Sequence, residues 1–268
     1  MTYREFSILL SIILLFILTS IIIEYMSPYR YDEINLDKRL LPPSLEHILG
    51  TDPLGRDLFI RLLHGLRVSL TASLLSIAIS ASLGSFTGMV STLISKALQI
   101  PLESIFDFLY IVPSIFIAAV VAFATGFGVH VIVIAIAFRL FPVFYRITRT
   151  IALTVSVQPY IESIKAIGAS TLYILINYIA REAMPTIAVL SIYSIPEALS
   201  MEISLSFIGL GIQPPTPSIG NIIADGVRYI AVAPHIVIAP TIAIFIIVSI
   251  TDILGERIKK MKEEQMLL

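Results

Sequence analysis

The sequence predicts an all-α membrane protein of about six transmembrane helices, and three observations predict it. Of 268 residues, 57% are hydrophobic and 14% charged, with a mean hydropathy of +0.93; a soluble domain carries about 25% charged residues and roughly 45–50% apolar ones. The apolar residues collect in stretches that match a bilayer core of about 30 Å, which takes roughly 20 helical residues to cross. Hydrocarbon offers the backbone no partners, so each stretch must satisfy its own peptide groups and be helical. The net charge of -1, from 18 Lys+Arg and 19 Asp+Glu, argues against a nucleic-acid footprint. Absence of cysteine removes disulfides, thiol nucleophiles and thiolate metal ligands.

The first stretch, Phe6 to Ile23, is an uncleaved anchor: it exceeds a signal-peptide core of about 7–15 residues and no A-x-A-like site follows. The second runs from Val68 to Ile94 and places Ala72, Ser76, Ser80, Gly84 and Gly88 four residues apart, on one helix face. Such a stripe of small side chains lets helices approach closely in lipid, and a conducting groove is the alternative. The third stretch is Ile105 to Gly126, the fourth His130 to Tyr145, the fifth Thr186 to Gly209 and the sixth Pro234 to Leu254. Pro142 and Pro196 invite kinks in the fourth and fifth. The chain thus divides into an anchor with an outer loop, residues 1–67, and a five-helix core, residues 68–268, holding an inner loop at about 160–185.

Orientation follows from basic residues in the short loops. Arg4, Lys96, Arg146, Arg149, Lys165, Arg181, Arg257, Lys259, Lys260 and Lys262 fall on one side and Arg228 on the other. Six further basic residues in the long first loop come with seven acids. Both termini are therefore expected in the cytoplasm. Two ionisable residues, Arg139 and Glu197, fall near the middle of the fourth and fifth stretches. A lone charge at that depth is costly and faces a partner or water; either the two approach each other or each faces an aqueous cavity separately.

Catalytic signatures are missing. GTDPLGRD, residues 50–57, mimics the spacing of GxxxxGK[ST] but lacks the lysine for phosphates and the hydroxyl for magnesium. His47, His64, His130 and His235 are scattered without metal-ligand spacing, so no metal site is expected. The inner loop is more informative. Glu162 to Ile167 reads as a short helical turn, Gly168 suits its left-handed C-cap, and Ser170 can N-cap a second helix. By physics alone this is either a rigid docking knob or an interfacial helix.

Here the residues carry a resemblance. Glu162, with Gly168 six residues on and Pro185 later, resembles the EAA loop of ABC-transporter permeases. GTDPLGRD at 50–57 and LSFIGLGIQPPTPS at 205–218 resemble outer segments of the C-type permease subunit of dipeptide/oligopeptide importers. The resemblance covers nearly the whole chain. It departs where Ser163 and Ile164 replace the two alanines, where Arg181 replaces a proline, and where Ile111-Val112-Pro113 replaces A-F-P after Asp107.

The resemblance implies a type I ABC importer permease, a transport subunit rather than an enzyme, with ATP and magnesium bound by separate ATPase chains and no cofactor here. Implied partners are a second homologous permease, two ATPase subunits and an extracellular substrate-binding protein. It assigns Glu162, Ser163, Lys165, Ala166, Gly168, Ala169 and Ser170 to ATPase coupling. It assigns Gly50, Thr51, Asp52, Gly55, Arg56, Asp57, Pro214, Pro215 and Pro217 to outer partner contacts, with simple loop closure as the alternative. Glu162 and Lys165, three apart, could instead pair with each other. A stand-alone secondary transporter or channel is the competing function; it leaves the inner knob unexplained.

Overall fold

The computed structural model describes residues 18–23 and 25–266. Arg4 and most of the expected first span, Phe6 to Ile23, lie outside the described residues; residues 18–23 are helical. Among the described residues, nine further α-helices follow: α1 Leu58–Ser91, α2 Lys96–Ile111, α3 Ser114–Thr125, α4 Val129–Ser156, α5 Pro159–Ala166, α6 Thr171–Ile174, α7 Ala180–Phe207, α8 Ile219–Val227 and α9 His235–Met266. A five-residue π turn, Leu175–Ile179, joins α6 to α7. The side chains of Lys96, Arg257, Lys259, Lys260 and Lys262 lie outside the described ones.

Among the described residues, four helical stretches are long and apolar enough to cross a membrane, Leu58–Ser91, Val129–Ser156, Thr171–Phe207 and His235–Ile253, and a bent pair at 97–125 makes a fifth if it is one span. The knob of α5 and α6 stands at one end of this bundle, and residues 27–57 with α8 at the other. We call these the knob end and the loop end.

The core is the meeting of α1, α4 and α7, where Ile77, Ile136, Leu140, Phe144, Ile192 and Ile195 are buried together. The small-residue stripe of α1 makes this possible. A Cβ on Gly84 would stand 2.7 Å from the Phe141 carbonyl oxygen, and one on Gly88 2.5 Å from that of Tyr145. Ser80 Oγ donates across the same seam to the Ala137 carbonyl at 3.1 Å. The stripe is a packing seam and not a groove. By contrast α9 presents Ile238, Ile242, Phe245, Ile246 and Ile250 outward, an apolar face that suits hydrocarbon.

Three boundaries differ from the sequence expectation. The helix of the second stretch starts at Leu58, crossing the 67/68 division, because Asp57 caps it by accepting from Ile60 N at 3.0 Å. The fourth continues to Ser156 instead of ending near Tyr145. The third is not one helix: α2 and α3 meet at 91°. Pro113 has no N–H and drives the residue before it out of the helical region, and Val112 is extended at φ -66°, ψ 121°. Pro142 and Pro196 stand inside continuous helices.

Candidate functional site

At the knob end, Gln158 leads into Pro159, whose fixed φ suits the first helical position. Glu162 falls in the first turn of α5 and Lys165 in the last, both matching the helix dipole. The helix closes through Gly168 N–H to the Lys165 carbonyl at 3.0 Å and Ala169 N–H to that of Ile164 at 3.2 Å. That closure needs a left-handed residue, and Gly168 has φ +92° with open space about it. Ser170 Oγ accepts from Tyr173 N–H at 3.2 Å and starts α6.

Ile161 is buried and plugs the knob against Ala152, Val155, Ile174 and Ile179. Ile164 and Ala169 pack partly buried against the same cluster, whereas Glu162, Ser163, Lys165, Ala166, Gly168 and Ser170 are exposed. Tyr160, Leu172 and Tyr173 are exposed beside them, and Ile167 is 84% exposed. Apolar side chains rimmed by charge mark a protein-contact surface. Among the described residues, Glu162 and Lys165 form no ion pair with each other. The apolar rim was not expected from the sequence; its signal was present in the large apolar residues beside each cap.

Midway along the bundle, Arg139 lies ten residues into α4 and Glu197 ten residues before the end of α7. The structure brings Arg139 Nη2 to 3.7 Å from Glu197 Oε1. Arg139 is also held over the Tyr110 ring, 4.2 Å to its centroid, and Nη1 donates to the Tyr110 carbonyl at 3.4 Å. That carbonyl belongs to the last turn of α2, where the break leaves oxygens without intrahelical partners. Along the same face of α2, Gln99, Glu103 and Asp107 recur every four residues and bind Arg149 and Arg146 of α4. This ladder, unremarked in the sequence, was visible in that spacing.

At the loop end, the GTDPLGRD motif turns inward. Asp52 accepts from Leu54 N at 2.8 Å, Arg56 N at 3.0 Å and Arg56 Nε at 2.6 Å, and Arg61 Nε stands 3.1 Å away. Asp57 caps α1 with one oxygen and meets His47 Nδ1 at 2.8 Å with the other. Thr51 accepts from Leu41 N at 2.8 Å. Gly50, Thr51, Asp52, Gly55, Arg56 and Asp57 are all buried, as is Pro217; Pro214 and Pro215 are exposed. The expected partner contacts at 50–57 are thus corrected: these side chains close the loop on itself, because two buried guanidinium groups need a buried carboxylate. Asp225 of α8, 3.9 Å from Arg56 Nη2, has its pKa raised above the ordinary carboxylate value by burial, against the pull of Arg61 and Arg56.

Comparison with known proteins follows from this geometry. The model of the family described as binding-protein-dependent transport system inner membrane component matches residues 60–262. The glutathione transport system permease protein GsiD of Escherichia coli O157:H7 is 33% identical over 251 residues, covering 92% of this chain and 82% of that protein. The protein of the same name from Shigella sonnei strain Ss046 gives the same figures. In fold, the chain is similar to inward-facing structures of the MetNI methionine ABC transporter, with a TM-score of 0.61 at 16% identity, covering 74% of this chain and 94% of the matched one.

Proposed function

Because this chain belongs to the family of binding-protein-dependent transport system inner membrane components, as a permease subunit of an ABC importer, we propose that it carries peptides or related small solutes. The similarity to a glutathione permease supports a peptide-like solute. The chain pairs with a second permease to form the path, two ATPase subunits bind ATP and magnesium, and a substrate-binding protein delivers solute at the loop end. No cofactor binds here. The exposed Pro214 and Pro215 are the delivery contacts at that end. Both termini face the cytoplasm, which puts the knob on the ATPase side. Residues 1–67 serve as anchor and loop, and residues 68–268 as the permease core.

The observation that carries this reading is the knob, held by buried Ile161 and Ile174 and presenting Glu162, Ser163, Lys165, Ala166, Gly168 and Ser170 outward, with half-buried Ala169 beside them. ATP binding closes the ATPases, and the knob converts closure into a change of access. A ligand shifts such an equilibrium only through contacts that differ between the two states, and a cap of fixed geometry transmits them. The test uses the complete transporter in vesicles. Gly168→Val strains a left-handed residue, and Glu162→Lys reverses an exposed charge; each lowers uptake about tenfold or more while ATP turnover continues, a coupling loss of ordinary size. Normal uptake at normal membrane level overturns the assignment.

A further inference from the structure

We propose that Glu197 is an acid site on the translocation path that receives the ammonium group of a passing solute, while Arg139 holds the opposite pole. The inference rests on the reading that this chain lines an importer's path.

Depth comes first. Ten residues of helix at about 1.5 Å each put both groups roughly 15 Å from the loop ends of α4 and α7, the middle of a core about 30 Å thick. Glu197 is nevertheless 47% exposed and Arg139 27%. A half-exposed carboxylate at that depth cannot face hydrocarbon. This face of α7 therefore meets water or the second permease, whereas the apolar face of α9 meets lipid. The broken third span gives the same answer independently. Non-helical backbone at membrane depth is tolerated only where it is buried in protein or lines an aqueous cavity, and exposed Pro113 stands beside this pair.

The cleft itself is polar on one side. Ser114, Glu197, Ser200 and Ser204 line a recess of about 370 Å³ whose remaining lining is apolar, with 197, 200, 201 and 204 on one face of α7 by their spacing. Arg139 is fixed by the Tyr110 ring and carbonyl, independently of Glu197. Among the described residues, Glu197 has only the 3.7 Å approach to Arg139, longer than a charge-assisted hydrogen bond of about 2.7–2.9 Å. The carboxylate is the half free to exchange partners. A primary ammonium offers it three donors, and the serines offer hydroxyls to a peptide backbone moving past. The fixed guanidinium offers a fork to a carboxylate. The chemistry selects zwitterionic solutes with a free amino group.

The chain has no cysteine, so each replacement gives it a single thiol, whose labelling in the complete transporter is read on this chain after separation from its partners. Ser200→Cys reacts with water-soluble methanethiosulfonates, and Phe245→Cys on the 71% exposed lipid face of α9 does not. Adding Glu197→Gln to Ser200→Cys shifts the ratio of aminoethyl to sulfonatoethyl reagent rates about tenfold toward the anion, one unit charge felt across a few ångströms. An unshifted ratio, or labelling no faster than at Phe245→Cys, overturns the proposal and leaves the importer reading intact. In uptake, Glu197→Gln slows trialanine about tenfold more than N-acetyltrialanine; equal slowing also overturns it. Failure of the unaltered transporter to move either peptide on ATP overturns the peptide reading instead, and the rate ratio still decides the acid site.

Discussion

Asp52 at the loop end is buried and surrounded by four donors from three residues; Glu162 at the knob end is exposed and forms no ion pair with Lys165 among the described residues. Both are acids in short motifs that resemble one family, yet one is spent on holding its own loop and the other is left open. The difference follows from what each loop must enclose. Loop-end burial traps Arg56 and Arg61, and a trapped cation without a partner is among the costliest arrangements in a protein. The knob encloses aliphatic side chains, Ile161 and Ile174 foremost, so its charges have nothing inside the chain to answer. A motif of charged residues thus marks a partner surface only where the fold leaves it unanswered.

The contrast is broken most sharply at Asp52. Asp52→Ala removes the one buried carboxylate that Arg56 and Arg61 share and costs about 3–5 kcal/mol, so the purified subunit loses thermal stability and membrane level. A variant as stable as the parent would show the loop to be less closed than its geometry. Next in size is Ile161→Ala, a buried aliphatic truncation worth roughly 2–4 kcal/mol. Its loss falls on the knob alone: hydrogen exchange at α5 and α6 rises while the loop end stays protected, and uptake falls with ATP turnover retained. Faster exchange spread across the whole chain would contradict a plug whose effect is local to the knob.

The smallest effect sharpens the comparison through pH. Burial raises the pKa of Asp225, so the folded chain holds that proton more tightly than the unfolded one. This contribution to stability is full below the ordinary value of 3.8 and is lost as pH rises through the raised one. Asp225→Asn removes the slope and stabilises the loop end at neutral pH by less than about 1 kcal/mol, since the group is partly solvated. Thermal melts across pH check this, and an unchanged slope assigns it elsewhere.

The knob was readable because its signals are local: Gly168 and Ser170 sit within a few residues of the bonds they make. The second, fourth, fifth and sixth apolar stretches were readable for the same reason. The break in the third was not. Pro113 and Pro142 look alike in a hydropathy window, but Pro142 is buried in the α1–α4–α7 core, which keeps its helix continuous, whereas Pro113 is exposed at the edge. Packing decides between them, and packing is tertiary. The approach of Arg139 to Glu197 depends on the rotation of two helices 58 positions apart in the chain. The inward turn of residues 50–57 depends likewise on Arg61 and Asp225, which no short motif contains.

One helix joins the two places where this molecule is left open. α4 runs unbroken from Val129 to Ser156, carries Arg139 on its way, and stops just short of Pro159. Pro142 removes one rung of its hydrogen-bond ladder between Arg139 and Ser156, yet the helix continues through it, buried in the core. On the coupling reading proposed above, a thrust delivered to α5 would reach the guanidinium along one continuous element. Engine stroke and gate latch would then ride on the same rod.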